Sequence, residues 1–190
     1  MSISLGNSCG GGARWVQIRE KVSADADLYR QLVRIREVCR LAGARFIVND
    51  RVDLALASGA DGVHLGQNDL PVEAARRILG PGAIIGLSTH NRAQFESAQG
   101  ERVDYIAVGP IYPTATKETG YAPLGSTLLL ELRAKSCHPL VAIGGINLGN
   151  VANVWRSGAD SAAVISDIVN DPDPAGRVRQ YLKQAEAVLK

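Results

Sequence analysis

The chain is 190 residues long, with 46% hydrophobic and 21% charged residues, which fits one soluble globular domain with a substantial core. Its formal net charge of +2 excludes the strongly basic footprint of a dedicated nucleic-acid binder. No apolar run approaches the roughly 18 residues of a membrane span, and no charged-then-apolar signal peptide opens the chain.

Strand and helix patterns alternate along the chain after a short lead-in. Residues 1–13 are rich in Gly and Ser without periodicity, so we expect a disordered or irregular N-terminal segment, followed by one domain over residues 14–190. Short apolar or alternating segments predict seven strands: Trp15–Glu20, Phe46–Val48, Val63–Leu65, Ala83–Gly86, Tyr105–Val108, Leu140–Ile143 and Ala162–Ile165. Amphipathic spacing predicts seven helices: Asp25–Ala42, Val52–Ser58, Pro71–Leu79, Arg92–Gln99, Leu128–Lys135, Asn150–Ser157 and Ala175–Leu189.

The uninterrupted strand–helix alternation predicts a parallel sheet with helices outside it. An open doubly wound sheet and a closed barrel both satisfy that pattern, but short, evenly distributed strands that end in polar residues or Gly favour the barrel. The residues before Arg14 are too few for both a strand and a crossover helix. We therefore expect a (β/α)8 TIM-type barrel that lacks its first strand–helix unit. The tripeptide Gly-Ala-Asp occurs at 59–61 and at 158–160, each time between a helix and a strand.

Residues with phosphate- and metal-binding chemistry follow the predicted strands. In a parallel barrel these strand ends meet at one rim, although they are far apart in sequence. Asp50 and Asp69, together with phosphate oxygens of a substrate, suit Mg²⁺, while Arg and Lys suit the remaining phosphate charge. Pro110 and Pro113 stiffen a loop that carries Thr114, Thr116 and Lys117 and forms a candidate clamp for a phosphorylated anion. The full set is Gln17, Arg19, Lys21, Asn49, Asp50, Asp69, Ser88, Thr89, His90, Thr114, Thr116, Lys117, Gly144, Gly145 and Ser166.

Each of these residues also has a purely structural interpretation. Asp50 and Asp69 each precede a predicted helix and are candidate N-caps. Gly144-Gly145 fits a tight turn as well as a phosphate site, and the Thr-rich loop fits a solvated turn. His64 lies within a strand, where a hydrogen-bonded core side chain competes with a catalytic role. The helical residues Arg76 and Arg77 are predicted to belong to a solvated outer face.

Seven segments, in order and spacing, resemble the thiamine phosphate synthase family. They are QIREK (17–21), VNDRVDLAL (48–56), ADGVHLGQNDLP (60–71), IGLSTH (85–90), DYIAVGPIYPTATK (104–117), VAIGGI (141–146) and AAVIS (162–166). The family consists of (β/α)8 barrels that join a hydroxymethylpyrimidine diphosphate to a thiazole phosphate, giving thiamine monophosphate and pyrophosphate. The family mechanism is dissociative: pyrophosphate leaves first, and the thiazole nitrogen attacks a pyrimidine carbocation.

The resemblance assigns expected roles to individual residues. It implies that Asp50 and Asp69 ligate Mg²⁺ on the pyrophosphate. The pyrimidine diphosphate would be held by Gln17, Arg19, Lys21, Asn49, Ser88 and Lys117, of which Arg19, Lys21, Ser88 and Lys117 would also act catalytically. The thiazole phosphate would be bound by Thr114, Thr116, Gly145, Ile165 and Ser166.

Two other functions compete with the synthase. A thiazole tautomerase of similar sequence would not need both metal carboxylates or the Thr-x-Thr-Lys loop, so Asp50, Asp69 and Lys117 argue against it. A shortened, non-catalytic paralogue would bind the ligands without turnover. The three scattered cysteines lack metal-ligand spacing and indicate reduced thiols, so we expect a cytoplasmic protein. Its expected partners are small molecules rather than nucleic acid or membrane, and a homo-oligomer is compatible with the sequence.

Overall fold

The structure, a computed structural model, describes residues 10–114 and 120–188. All seven predicted strands are present: β1 (Trp15–Ile18), β2 (Arg45–Asn49), β3 (Gly62–Leu65), β4 (Ile84–Thr89), β5 (Tyr105–Val108), β6 (Leu140–Ile143) and β7 (Ser161–Ala163). The helices within these ranges are α1 (Asp25–Leu41), α2 (Val52–Ser58), α3 (Val72–Leu79), α4 (Arg92–Ala98), α5 (Gly125–Arg133), α6 (Val151–Arg156), α7 (Ser166–Val169) and α8 (Pro174–Val188).

Four strand ends differ from the prediction at the rim of the sheet, by two residues for β1 and by one for β2. Strand β4 continues to Thr89, so Ser88 is a strand residue rather than a loop residue. Strand β7 ends at Ala163, and the short helix α7 that begins at Ser166 was not predicted. Four residues are too few for a 3.6-residue periodicity to be visible in a sequence.

The seven strands form one parallel sheet in sequence order, as the alternation predicted. This sheet is curled, because the ring of Trp15 on β1 lies 5.7 Å from that of Tyr105 on β5, in an edge-to-face contact. A flat sheet would separate strands four places apart by about 19 Å. The described residues form the seven strands expected of a barrel that lacks its first unit, and their order begins at β1 and ends at β7, with no ladder joining the two. The sheet they show is thus a curled half-barrel rather than a closed eight-unit barrel.

The two faces of the sheet differ in chemistry. Alternate strand residues pack with the helices in one apolar core, which includes Val16, Phe46, Val48, Val63, Leu65, Ile85, Ile106, Val108, Leu140 and Ala142. Because successive side chains of a strand point to opposite faces, the intervening positions line the inside of the curl. Those inner positions include Gln17, Asn49, His64, Ser88 and Tyr105. A polar inner surface is therefore built into the strand pattern.

Three aspartates join neighbouring strands at their amino ends. Each lies directly before a strand, donates its backbone N–H to the carbonyl of a residue on the preceding strand, and accepts that residue's N–H on its carboxylate, at 2.7–2.9 Å. The pairs are Asp61 with Phe46, Asp104 with Ile85, and Asp160 with Leu140. Asp61 and Asp160 end the two Gly-Ala-Asp tripeptides, so this closed pair of hydrogen bonds explains the repetition.

An arginine completes each of these three aspartate sites, and one of them corrects a prediction. Arg45 is exposed and Arg133 is partly exposed, but Arg76 is only 8% exposed. Its guanidinium donates to Asp104 at 2.8 Å and to the carbonyl oxygens of Arg102, at 3.0 Å, and of Ala83. The prediction that Arg76 belongs to a solvated face is wrong, whereas Arg77 is exposed as expected.

Asp160→Ala is expected to lower the free energy of unfolding by about 1–3 kcal/mol, because the N–H of Leu140 lies at a fully buried residue and would lose its acceptor. Urea unfolding followed by circular dichroism measures this change. Asp27→Ala is the control, since Asp27 is an exposed helix residue whose ion pair with Arg30 contributes little. Equal effects of the two substitutions would contradict a stabilising role for the strand-joining aspartate.

The first described residues pack against helix α8, the last helix of the chain. Residues 1–9 of the expected lead-in lie outside the described residues. Gly11 is buried against α8, where an added Cβ would lie 2.6 Å from the carbonyl oxygen of Ala175.

Among residues 10–114 and 120–188, no helix is long and apolar enough to cross a bilayer.

Candidate active site

Two carboxylates and an ammonium meet at the carboxyl ends of β1, β2 and β3. Lys21 donates from Nζ to Oδ2 of Asp50, whose side chain is 17% exposed. Asp50 is also hydrogen-bonded to Asp69, although the two residues are 19 positions apart. The Oδ2 atom of Asp69 accepts the N–H of Gly66 at 2.7 Å. The structure therefore brings together the two residues predicted to ligate a metal.

The electrostatics of this pair are asymmetric. Burial raises the pKa of Asp69, and the hydrogen bond with Asp50 raises it further. Burial alone would also raise the pKa of Asp50, but the hydrogen bonds from Asp69 and Lys21 outweigh burial, and the charge of Arg19 acts in the same direction, so the pKa is lowered. Asp50 is therefore the stronger acid of the pair and loses its proton before Asp69 does.

The N-cap interpretation fails for both aspartates. Helix α2 has Arg51 at its N-cap position and α3 has Pro71, and neither helix receives a side-chain capping hydrogen bond. Asp50 instead has φ 64°, the one positive φ of a non-glycine residue in the described ranges. Asp and Asn tolerate this left-handed conformation better than other residues with a Cβ. The chain accepts an unfavourable backbone conformation where Asp50 meets Lys21 and Asp69.

The donor set fits a cation that is held mainly by its substrate. Within the described part of the chain, no group of three or more His, Cys, Asp or Glu residues is placed to hold a metal. Mg²⁺ is commonly bound through one or two carboxylates plus substrate phosphates and water, and it prefers oxygen ligands. The oxygens of Asp50 and Asp69 meet that requirement, and Lys21 lies beside them for the phosphate charge.

A hydrogen-bonded network lines the inner face next to this cluster. The ring nitrogens of His64 lie 2.9 Å (Nδ1) from the hydroxyl of Tyr105 and 2.7 Å (Nε2) from Oγ of Ser88. Gln17 is hydrogen-bonded to the same tyrosine hydroxyl. His64 is 6% exposed, so the core interpretation of this histidine is confirmed. The network joins the inner faces of β1, β3, β4 and β5.

Backbone contacts tie this network to the acidic pair. Asn49 pairs with His64 in the β2–β3 register, and the N–H of Asp50 donates to the carbonyl of His64 at 2.8 Å. From the loop after β3, the side chain of Gln67 donates to the carbonyl of Ser88 at 2.6 Å. Ser88 and Asp50 are thus held on either side of His64.

The loops after β5 and β6 touch closely at Gly145. This residue has φ 65°, and an added Cβ would lie 2.5 Å from the carbonyl oxygen of Pro113 and 2.7 Å from Cβ of Tyr112. The N–H of Tyr112 also donates to the carbonyl of Gly144 at 3.0 Å. A tight turn packed on the Pro-braced loop therefore accounts for the glycine at 145 and places it near half-buried Thr114. Thr116 and Lys117 lie outside the described residues.

Ile165 and Ser166 lie beside Gly145 on the rim. Ile143 and Ala163 are register partners, and Gly145 and Ile165 each follow two residues after them. Ile165 is 48% exposed, and Ser166 is the first residue of α7. The next residue, Asp167, accepts a hydrogen bond from the hydroxyl of Tyr181 at 2.6 Å, which fixes α7 to α8.

Tyr105 and Gln67 contact predicted site residues but were not singled out from the sequence. A tyrosine in an apolar strand signals a buried hydrogen-bond partner, since its hydroxyl has to be satisfied. The position of Gln67 over Ser88 depends on the curl of a loop and has no sequence signal. Tyr121 was also missed: its ring stacks on that of His90, with centroids 4.2 Å apart.

Comparison with known proteins agrees with the sequence resemblance. Residues 4–168 match the family model described as thiamine monophosphate synthase. The thiamine-phosphate synthase of Methanoculleus marisnigri is 48% identical over 169 residues, which cover 89% of this chain and 80% of that protein. The thiamine-phosphate synthase of Methanospirillum hungatei JF-1 is 45% identical over 174 residues, covering 92% of this chain and 84% of the relative.

A solved structure agrees in fold as well. The thiamine phosphate pyrophosphorylase from Pyrococcus furiosus superposes with a TM-score of 0.92 at 35% identity, over 98% of this chain and 90% of that one. Matching sequence and matching architecture therefore both extend over most of the chain. The chain belongs to the thiamine monophosphate synthase family.

Proposed function

We propose that this protein condenses 4-amino-2-methyl-5-(diphosphooxymethyl)pyrimidine with thiazole phosphate, giving thiamine monophosphate and pyrophosphate with the help of Mg²⁺. The observation that carries the proposal is the cluster of Asp50, Asp69 and Lys21, which lies next to Ser88 at the rim. Relatives at 45–48% identity that are named thiamine-phosphate synthase support the same reaction.

The leaving pyrophosphate gains negative charge, and the residues at this rim are suited to stabilise it. Mg²⁺, held by Asp50 and Asp69, would supply charge neutralisation at the departing phosphate oxygens. Lys21 and Arg19 add fixed positive charge, and Ser88 offers a hydroxyl. The reaction needs no strong protein nucleophile, so positioning and electrostatics supply most of the rate.

Further contacts in the proposal follow the family resemblance. Gln17 and Asn49 bind the pyrimidine diphosphate beside Ser88, and Lys117 contacts its phosphates. The thiazole phosphate occupies the neighbouring part of the rim, bound by Thr114, Thr116, Gly145, Ile165 and Ser166. The contact between the loops after β5 and β6 supports one shared thiazole site, because it brings Thr114 and Gly145 to the same place.

The proposal also includes the domain organisation and the setting of the enzyme. Residues 14–190 form a single domain, a (β/α)8-type barrel that lacks its first strand–helix unit. Phosphorylated small molecules are the proposed partners, in the cytoplasm and without nucleic acid or membrane. Light scattering on the purified chain tests whether it forms a homo-oligomer.

The function is tested by incubating the purified chain with both substrates and Mg²⁺ and assaying thiamine monophosphate and pyrophosphate by chromatography. We expect both products in equal amounts, no turnover after chelation of the metal, and full recovery when Mg²⁺ is added back. Isomerisation of the thiazole without release of pyrophosphate would identify a tautomerase instead. Binding of both substrates without any product would identify a non-catalytic paralogue.

Gly145→Ala is expected to raise the KM for thiazole phosphate at least about tenfold, because a methyl group cannot fit against Pro113 and small displacements at a binding site are costly. The KM for the pyrimidine diphosphate should change little. Steady-state kinetics with each substrate varied in turn measures both constants. Gly100→Ala is the matched control, since its added Cβ has ordinary contacts, with Ser97 at 3.8 Å. Equal KM changes for both substrates would refute the assignment.

A further inference from the structure

The chemistry of the groups in the inner-face hydrogen-bonded network favours one donor direction. Burial raises the pKa of Tyr105, which is 7% exposed, so its hydroxyl stays protonated. A phenolic hydroxyl is a stronger hydrogen-bond donor than a neutral imidazole N–H, and an imidazole nitrogen is a stronger acceptor than a phenolic oxygen. The phenolic proton is then available to Nδ1 of His64, 2.9 Å away.

This direction continues through the imidazole to the rim. A neutral imidazole whose Nδ1 accepts a hydrogen bond carries its proton on Nε2. That nitrogen lies 2.7 Å from Oγ of Ser88, so the serine oxygen accepts. A hydroxyl has a single donor, and when its oxygen is engaged as an acceptor the proton remains for another partner.

The partners of His64 are themselves held in place. The His64 and Tyr105 rings stack with centroids 5.5 Å apart and an interplanar angle of 23°. Tyr105 also packs on Gly86, where an added Cβ would lie 2.1 Å from the ring, and against the edge of Trp15. Close packing on several sides restricts the imidazole to one orientation.

We propose that His64 is a positioning residue for Ser88: its Nε2–H donates to the serine oxygen and leaves the Ser88 hydroxyl to donate to an anionic oxygen of the substrate diphosphate. The inference rests on the proposed function and deepens it. With the opposite polarity, the serine would present lone pairs to a phosphate oxygen, which is repulsive. Tyr105 favours the productive polarity from the other end of the chain of hydrogen bonds.

The tautomer is tested without substrate by nitrogen NMR on protein labelled in its three histidines. The shifts of the two ring nitrogens show which one carries the proton, and His64→Gln identifies the resonances by their loss. We expect the Nε2–H form in the wild type and a mixture of tautomers in Tyr105→Phe, which keeps the ring but removes the hydroxyl. A wild-type His64 protonated on Nδ1, or on both nitrogens at neutral pH, would overturn the proposal.

The action through Ser88 is tested by a double-mutant cycle. His64→Leu is expected to lower kcat/KM for the pyrimidine diphosphate about tenfold in the wild-type background, the factor of one ordinary hydrogen bond. In the Ser88→Ala background the same substitution should cause no further loss, because the residue it positions is gone. His64→Gln, with an amide N–H in place of Nε2–H, should recover most of the activity. Additive losses would refute a role through Ser88.

A binding cycle separates this inference from the proposed reaction. Calorimetric titration of the same four proteins with Mg²⁺ and inorganic pyrophosphate requires no turnover. Non-additive losses of pyrophosphate affinity support the positioning role even if no thiamine monophosphate forms, in which case the proposed reaction alone fails. Thermal unfolding of each variant checks that it is folded, and additive losses in this cycle would count against His64 whatever the activity.

Discussion

Asp50→Asn is expected to abolish Mg²⁺-dependent formation of thiamine monophosphate, with a loss in kcat on the order of a hundredfold or more. The substitution removes the negative charge that Lys21 and a bound cation require. Asn is preferable to Ala here because Asp50 has φ 64°, a conformation that Asn tolerates and that costs Ala about 1 kcal/mol or more. The loss can therefore be read as a loss of metal binding rather than of folding. Product formation at increasing Mg²⁺ concentration measures it.

Asp53→Asn is the matched control for this experiment. It makes the same chemical change three residues later, at an exposed side chain that pairs with Arg51. We expect activity close to that of the wild type in this variant. Asp69→Asn should behave like Asp50→Asn, because the two carboxylates form one hydrogen-bonded pair. Full activity in either pair variant would refute the metal assignment.

Arg76→Met is expected to lower the free energy of unfolding by about 2–4 kcal/mol. The guanidinium is almost completely buried and donates to backbone carbonyls as well as to Asp104. Met keeps most of the volume but leaves these buried acceptors without a donor. Because Asp104 remains partly exposed, its own loss contributes only part of the effect.

Arg77→Met is the control for Arg76→Met, since it makes the same change at the next, exposed residue of α3. Urea unfolding of both variants should give a near wild-type midpoint for Arg77→Met alone. Arg76 lies at the amino ends of β4 and β5, away from the rim that carries Asp50, so folded Arg76→Met should keep its activity at low temperature. A midpoint equal to that of Arg77→Met would contradict the buried-clamp role.

Much of the rim could be predicted because strand ends are visible in the sequence. Asp50 and Asp69 follow β2 and β3, and parallel strands place their carboxyl ends together. The choice between helix cap and metal ligand could not be made in the same way. A cap is a contact across three residues, whereas Asp50 and Asp69 interact across 19 positions. The outcome depended on how the two loops fold back toward each other.

The partners of Arg76 and His64 also could not be predicted from local sequence patterns. A charged residue in an amphipathic helix is normally solvated, and only the approach of the segments before β4 and β5 surrounds Arg76 with acceptors. His64 was recognised as a core residue from its strand, but its partners come from β4 and β5. Neither the partners nor their donor direction leaves a local pattern.

The amino-acid sequence alone determined the alternation of seven strands and helices, the order of the polar residues that follow the strands, and the family to which they belong. These properties are local, since periodicity and turn residues act over a few positions. The tertiary structure alone decided the pairing of Asp50 with Asp69, the burial of Arg76 and the partners of His64 in its hydrogen-bonded network. Those features arise from contacts between segments 19 to 41 residues apart, which exist only once the sheet has curled.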